Sequence, residues 1–457
     1  MLQSANCIQH QSPKTIRPRI YLFQLVVMNS LRVGLVGAGI VGACCALVLA
    51  RQGHQVTLLE PETPGGTHSA SHGNGGWISP ASILPMSTPG LWKKIPGYLL
   101  DPMGPFTLRL SSLPSLLPWL WQFLRAGWRW EQVRATSAVL HRLLHDAPLC
   151  HRELAGWAGA EHLLHHNGLL YAYPHRQAFE QEAMAWQLRR EQGLIWQELE
   201  GEALRSKAPA LDAAYQLGIW IPSGAWCSDP GSYVTHLIAA AQQHGARLER
   251  VRVERLWIQG GRCHGVETSQ GPLALDRTLI TAGLGSAAFA RQAGDSLPLA
   301  GERGYHVVLP RADLNLALPI MPSDGRMANT PMASGLRLAG QVELASEKAA
   351  ANWARAHVLL SHAQRSYPAL ASPERCADTT LWMGHRPSTP DGLPVIGPSP
   401  RCDGLWYACG HGHVGLASSA RTAWLVAEGL TARGDDRPLQ DWRAVGIERF
   451  DRAAFSA

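Results

Sequence analysis

Three stretches of this chain carry residue types and spacings that could do chemistry. Gly37-Ala38-Gly39-Ile40-Val41-Gly42 is a G-x-G-x-x-G, and Glu60 stands 21 residues beyond Gly39. In such a motif the first glycine allows a tight turn and the second lets the backbone approach a pyrophosphate. The third lets helix and strand pack closely, and the acid can accept from ribose hydroxyls. Gly410-His411-Gly412-His413-Val414-Gly415 is a second glycine-rich turn. It follows an apolar run, and apolar periodicity resumes at Leu416, Ala420 and Trp424. A helix N-terminus there should face an electron-rich group. Between the two lies the loop Pro64–Pro80, where Ser71, Asn74, Gly75 and Gly76 offer small donors and close backbone approach. The chemistry implied is dinucleotide binding. Glu60, with no basic residue beside it, argues against a 2′-phosphate, and the first motif alone leaves NAD and FAD both open.

The elements needed to position these residues are legible. Val33, Leu35 and Val36 read as a buried strand, and Ile40, Cys44, Leu47 and Val48 recur at helical spacing until Gly53. Gln55–Leu59 is a second strand ending on Glu60. Periodicity predicts helices over 139–154 and 177–192, with a strand at 168–173 between them. Asp229-Pro230 opens a further helix that Gly245 ends, an Asp cap followed by a proline in the first turn. A strand over 247–257, a turn at Gly260-Gly261 and an apolar strand over 279–283 follow. A last helix is expected from Lys348 to about Ser366.

Composition narrows the classes. At 457 residues the chain is long enough for two or three domains. The net charge of +6 is spread out, with no Lys/Arg block and no nucleic-acid motif. Nine cysteines form no C-x-x-C, which fits reduced thiols in a cytoplasmic setting and no metal site. His162, His165 and His166 cluster with only Glu161 nearby, and read as solvated polarity. Residues 1–27 read as a disordered leader or as a start mis-assigned ahead of Met28. No apolar run reaches the ~20 residues needed to span a bilayer.

The first strand–turn–helix, Glu60 and the S-x-x-N-x-G loop together resemble the D-amino-acid oxidase superfamily of flavoproteins, and within it the bacterial D-amino-acid dehydrogenases. The resemblance covers about 30–450. It implies an α/β fold: a discontinuous Rossmann-like FAD-binding domain plus an α+β substrate domain with an antiparallel or mixed sheet. The expected division is 28–119, 223–300 and 385–457 for the first and 120–222 and 301–384 for the second. Family cofactor contacts fall at Val253, near the adenine, and at Ala282-Gly283, Asp391-Gly392 and Gly410–Gly415. With no second nucleotide motif for NAD, these returns imply one long FAD. At Gly410–Gly415 the helix dipole and backbone N–H groups would stabilise the reduced flavin's anionic edge. His68 and His72 raise covalent flavin attachment, which the dehydrogenase branch usually lacks.

Arg386 lies in the -G-x-R-P- text where relatives place a carboxylate-binding arginine, and a guanidinium fork matches a carboxylate bidentately. Tyr305 matches a family tyrosine near the substrate; His306, His411 and His413 are weaker candidates to line the site or tune the flavin. Arg337 and Glu343 read as a structural pair. The implied reaction is oxidation of a D-amino acid by hydride transfer to flavin N5. The products are a 2-oxo acid and ammonia, and the electrons pass to a quinone or oxygen. Two alternatives stand beside it: a glycine/sarcosine-type or cyclic secondary amine oxidase, and a flavin-binding subunit of a larger complex. The segment Pro118–Trp130 fits a buried helix or interdomain contact. It also fits a peripheral membrane contact on the inner face of the cytoplasmic membrane, as in the resembled dehydrogenases.

Overall fold

The computed structural model describes residues 30–101, 103–431 and 443–451; the expectations for the start of the chain lie outside them. Strand Arg32–Val36 is buried from Val33 onward, and runs into helix Ile40–Arg51, ten of whose residues are buried. That helix has no charged residue before Arg51, so it can only be an interior helix. Strand Gln55–Leu59 returns parallel to the first. The sheet then takes Arg247–Glu249 on one edge and Arg277–Ile280, Leu405–Cys409 and Val395–Pro398 on the other. All neighbours are parallel except the last pair. Residues far apart in sequence thus build one six-stranded nucleotide-binding sheet.

A second, nine-stranded sheet is mixed. Its three longest strands, Gly335–Leu344, Ala300–Leu309 and Thr380–Ser388, are antiparallel neighbours. Helix Ala354–Ser366 covers one face, packing Leu359 and Ala363 against Tyr305, Val307 and Leu338. The other face borders a cavity. Side chains alternate along a strand, so Glu302 and Gly304 look into that cavity while Arg303 and Tyr305 look away.

Several expected elements are divided. The helix expected over 139–154 is two, Trp130–Leu144 and Ala147–Ala158, because Pro148 sits where a continuing helix would need an N–H. The strand expected over 247–257 splits into Arg247–Glu249, in the six-stranded sheet, and Val253–Gln259, in an antiparallel three-stranded sheet. The helix expected from Lys348 begins at Ala354. The expected domain limits shift as well. Phe106–Leu108 already pairs with Gly335–Leu344, ahead of residue 119, and Thr380–Ser388 runs through 385. Leu140, Leu143 and Leu154, expected in the substrate domain, share the core of the nucleotide-binding helices with Leu47, Leu237 and Val426.

Candidate active site

The first glycine motif is shaped by backbone contacts. Gly37 has φ +105°, and a Cβ there would stand 2.7 Å from the Thr281 carbonyl oxygen. Its N–H donates to the Leu59 carbonyl at 3.0 Å, and Thr281 Oγ1 donates to its carbonyl at 2.7 Å. A Cβ on Gly42 would overlap the Gly37 carbonyl oxygen, so that glycine lets the helix close onto the turn. Gly39 differs. Its φ is −70°, and among the described residues beyond its chain neighbours the one atom within 4 Å of a Cβ there is Ser71 Oγ at 3.4 Å. Glu60 accepts from the Ala38 N–H at 2.9 Å and the Glu62 N–H at 3.1 Å, and Ser71 Oγ accepts from the Ile40 N–H at 3.0 Å.

Around this turn lies a cavity of about 640 Å³. It runs from Glu60, Arg252 and Val253, past Gly37 and Ser71, to Ala282-Gly283 and Gly410–Gly412. Gly39, Ile40, Val41, Asn74, His411 and Gly415 also line it. A second cavity of about 760 Å³ joins it at Ala70, Asn74, Gly384, His385 and Gly412. Gly75, His413, Val414 and Arg386 line this second space, with apolar walls from Trp77, Leu84, Trp119, Leu120 and Phe123.

Five expected cofactor residues line neither cavity. Ala38 and Gly42 support the turn from behind. Gly76, at φ +78°, packs so tightly that a Cβ would stand 2.5 Å from the Cys227 carbonyl oxygen. Asp391 accepts from Arg449 Nε at 2.7 Å, and Gly392 lies against Pro85. These last two brace the loop before strand Val395–Pro398 and do not reach the cavity, a correction to the expectation for that segment.

Arg386 lies in the apolar cavity. It stands opposite Glu302 across the antiparallel pair Ala300–Leu309 and Thr380–Ser388. Its guanidinium crosses the intervening strand at Gly304, where any Cβ would overlap Nη2. It then donates to the carbonyls of Gln341 at 3.1 Å and Gly340 at 3.4 Å. No carboxylate among the described residues lies within ion-pair distance of it. Burial pulls its pKa down, against the pull of Glu302. A desolvated cation held only by carbonyls suits a visiting carboxylate. Gly304 is therefore a site residue that no motif signalled; only register shows it. Gly304→Ala is expected to leave thermal stability nearly unchanged, because the flexible guanidinium can move. It should weaken carboxylate binding about tenfold, roughly one displaced charged hydrogen bond. Titration of the holoenzyme with a 2-oxo acid checks this.

Tyr305 does not serve as expected. Its hydroxyl donates to Glu343 and accepts from the Asn352 N–H at 2.9 Å. The ring lies with the helix-side core, so the hydroxyl is committed to structure. Glu343 also takes Arg109 Nε at 2.7 Å and the fully buried Arg303 at 3.4 Å. It does not pair with Arg337, whose Nη1 donates to the carbonyls of His72 and Asn74 at 2.8 Å each. Arg337 thus pins the Ser/His loop that borders both cavities. Burial pushes His413 down to about 4, helped by the Arg386 charge, and it lines the cavity as a neutral ring. Burial takes His411 to about 3, and its Nε2 lies 3.0 Å from Thr422 Oγ1. His306 stacks on Trp382 at 4.9 Å, its pKa down to about 3 through burial and the Arg337 charge. Among the described residues no His, Cys, Asp and Glu gather into a metal site.

A six-stranded sheet whose long cleft opens onto a second cavity, with Arg386 and Arg326 among its lining residues, defines a dinucleotide-binding fold. A family model described as FAD dependent oxidoreductase, DAO, matches residues 32–429. The chain belongs to that family, and its cofactor is FAD. Among curated relatives, a D-amino-acid oxidase of Bradyrhizobium diazoefficiens is 42% identical over 407 residues, 89% of this chain and 96% of that one. A D-amino acid dehydrogenase 2 of Ralstonia nicotianae is 29% identical over 415 residues, 88% of this chain and 97% of the relative. Among solved structures, glycine oxidase from Bacillus cereus superimposes with a TM-score of 0.67 at 18% identity, over 90% of this chain and 100% of that one, a likeness of fold.

The residues fit FAD. Gly39 offers bare backbone where a pyrophosphate needs to approach, and the helix Ile40–Arg51 points its N-terminus there. Glu60 and Val253 stand at the far end of the cleft, and Gly410–Gly412 at the end that meets the second cavity. Arg252, Thr281, Met383 and Gly384 also line the cleft and were not expected. Arg252 was one position from a named contact; Met383 and Gly384 lie beside Arg386 in a strand whose register no local pattern reveals.

Proposed function

We propose that this enzyme oxidises D-amino acids with apolar side chains to 2-oxo acids and ammonia. One observation carries the reading. Arg386, a guanidinium without a carboxylate partner among the described residues, lies in a largely apolar cavity that joins the FAD cleft at Gly384 and Gly412. Bound FAD supplies the two-electron acceptor for the hydride leaving the substrate's Cα. Arg386 holds the carboxylate by its fork and so fixes the Cα position. Trp77, Leu84, Trp119, Leu120 and Phe123 take the side chain and exclude water. The N-terminus of the helix beginning at Gly415 supplies a fixed positive field at the flavin end of the cleft. The D configuration is supported by the names of the two curated relatives.

A cavity of about 760 Å³ is far larger than glycine or sarcosine requires, which favours a bulky side chain over the small-amine alternative. Anaerobic bleaching of the flavin across a panel of D-amino acids, L-amino acids, glycine, N-methylglycine and cyclic amino acids tests this. Rapid bleaching by D-phenylalanine, D-leucine or D-methionine is expected, and at least tenfold slower bleaching by glycine. Bleaching by none would favour a non-catalytic flavin subunit. Stoichiometric peroxide in air separates oxygen from a quinone as acceptor.

The aromatic segment divides its residues. Trp119 is buried and donates to the Ser388 carbonyl at 3.2 Å. Trp121 and Trp128 are exposed, with Trp92 stacked on Trp128 at 6.4 Å. No described helix is long and apolar enough to cross a membrane. The exposed tryptophans support a peripheral contact with a quinone-bearing membrane.

A further inference from the structure

Glu302 has no assigned part in the chemistry above, yet it lines the same cavity as Arg386. The two are directly opposed in register, so they share one face of the sheet and lie within side-chain reach. Around Glu302 stand Ala300 on its own strand, Leu344 on the neighbouring strand and Trp119 from helix Leu113–Ala126, with the Ser388 hydroxyl as a polar neighbour that, like Arg386, favours the ionised carboxylate. The charged or titratable groups of this region are few. Arg386 faces it, the exposed Arg326 lines the same cavity, and His413 joins it from the turn Gly412–Val414 as a neutral ring. His385, opposite Arg303, lines the junction of the two cavities. Arg303, Glu343 and Arg109 are tied to one another on the far side of the strand.

This arrangement poses an electrostatic problem. Arg386 can neutralise one carboxylate. A bound amino acid brings a second carboxylate and an ammonium into a space of low dielectric, where Glu302 already stands. The four charges sum to zero, but two ion pairs in such a space carry the desolvation of four charged groups. That cost is halved if the ammonium proton moves to Glu302. The amine and Glu302 are then both neutral, and Arg386 and the substrate carboxylate form one balanced pair. The same transfer delivers the free amine, the form whose nitrogen lone pair can expel the Cα hydrogen as hydride.

We propose that Glu302 is the proton acceptor for the substrate's ammonium group. In this step one N–H bond breaks and one O–H bond forms on the Glu302 carboxylate. No electrons leave the substrate until the later hydride transfer. Burial already pushes the Glu302 carboxyl upward, against the Arg386 charge, which suits a group that must hold a proton near neutral pH.

The inference rests on the amino-acid reading, and the experiment separates the two. The rate of anaerobic flavin reduction at low D-amino acid is measured from pH 6 to 9.5 for the holoenzyme and for Glu302→Gln. The wild type is expected to be level through neutral pH. Glu302→Gln is expected to be at least tenfold slower at pH 7 and to rise about tenfold per pH unit toward the substrate amine's own pKa, because only pre-deprotonated substrate reacts. A second measurement needs no turnover and no variant. A 2-oxo acid brings the carboxylate without an ammonium, so its binding to the wild type must take up about one proton from solvent. Calorimetry in two buffers of different ionisation enthalpy reads this. Parallel pH profiles for the two proteins, or no proton uptake on 2-oxo acid binding, overturns the role of Glu302. Failure of every amino acid to bleach the wild-type flavin overturns the functional reading and this inference with it.

Discussion

Arg386→Ala should cost more binding than any other change in the cavity. Truncating one side of a buried, hydrogen-bonded charge pair typically costs roughly 2–5 kcal/mol, about 30-fold to several thousand-fold in affinity. Here the partner charge is the substrate's, so the loss should appear in the Kd for amino acids and 2-oxo acids alike. The rate of flavin reduction at saturation should fall too, because a carboxylate that is no longer held leaves Cα free to wander from its position over the cleft. Thermal stability should not follow. Arg386 is a desolvated cation with no carboxylate among the described residues within ion-pair distance, held by two backbone carbonyls, and the fold gains little from keeping it. The variant is therefore expected to melt at or slightly above the wild-type temperature while binding substrate far more weakly. Arg386→Lys should recover only part of the affinity, since an ammonium is a point charge and cannot offer a fork. Spectral titration with a 2-oxo acid and a thermal melt, run on the same preparations, check both halves. Unchanged affinity would remove Arg386 from the substrate site.

What could be read in the chain was what depends on neighbours in sequence. The turn Gly37–Gly42, the acid at Glu60, the Asp229 cap and the glycine-rich turn at Gly410 are local devices, and their composition announces them. Asp229 does cap its helix, accepting from the Ser232 N–H at 3.0 Å. The family resemblance added Arg386. What could not be read depends on register between distant strands. Glu302 and Gly304 acquire meaning only because Ala300–Leu309 pairs with Thr380–Ser388 so that Glu302 meets Arg386 and Gly304 meets Gly384. Shifting that register by one residue would send Glu302 to the helix side. Tyr305 shows the same dependence in reverse. It lies one residue from Gly304 on the same strand, but its side chain turns to the helix side and its hydroxyl is taken by Glu343, 38 residues on. The Arg337–Glu343 expectation failed for a related reason. The two are six residues apart on one strand, but a register shift between Gly340 and Glu343 puts them on opposite faces: Glu343 is taken by Arg109 and Arg303, while Arg337 turns to loop carbonyls.

The glycines of the first motif divide by what each makes room for, and this permits a variant that loses the cofactor without losing the fold. Gly37 and Gly42 are required by the protein itself: Cβ atoms there meet the Thr281 and Gly37 carbonyls. Gly39 is not. Its φ of −70° and ψ of −176° lie in extended backbone that alanine adopts freely, and among the described residues beyond its chain neighbours Ser71 Oγ alone is near, at an ordinary contact distance of 3.4 Å. The space its missing Cβ leaves belongs to the cleft. Gly39→Ala should therefore fold as well as the wild type, and the apoprotein should melt within a degree or two of it, or slightly higher because alanine restricts the unfolded chain. Its FAD affinity should fall by at least a hundredfold, because a methyl group would stand where the pyrophosphate has to approach the helix N-terminus. The holoprotein should then lose the extra stability that tight FAD binding confers, about 2.7 kcal/mol at a cofactor concentration a hundred times Kd. Flavin content after dialysis, together with melts of apo and FAD-supplemented protein, measures all three quantities. A Gly39→Ala protein that retained FAD stoichiometrically would place the pyrophosphate away from this turn. One whose apoprotein unfolded would show that Gly39, like Gly37, is needed by the fold.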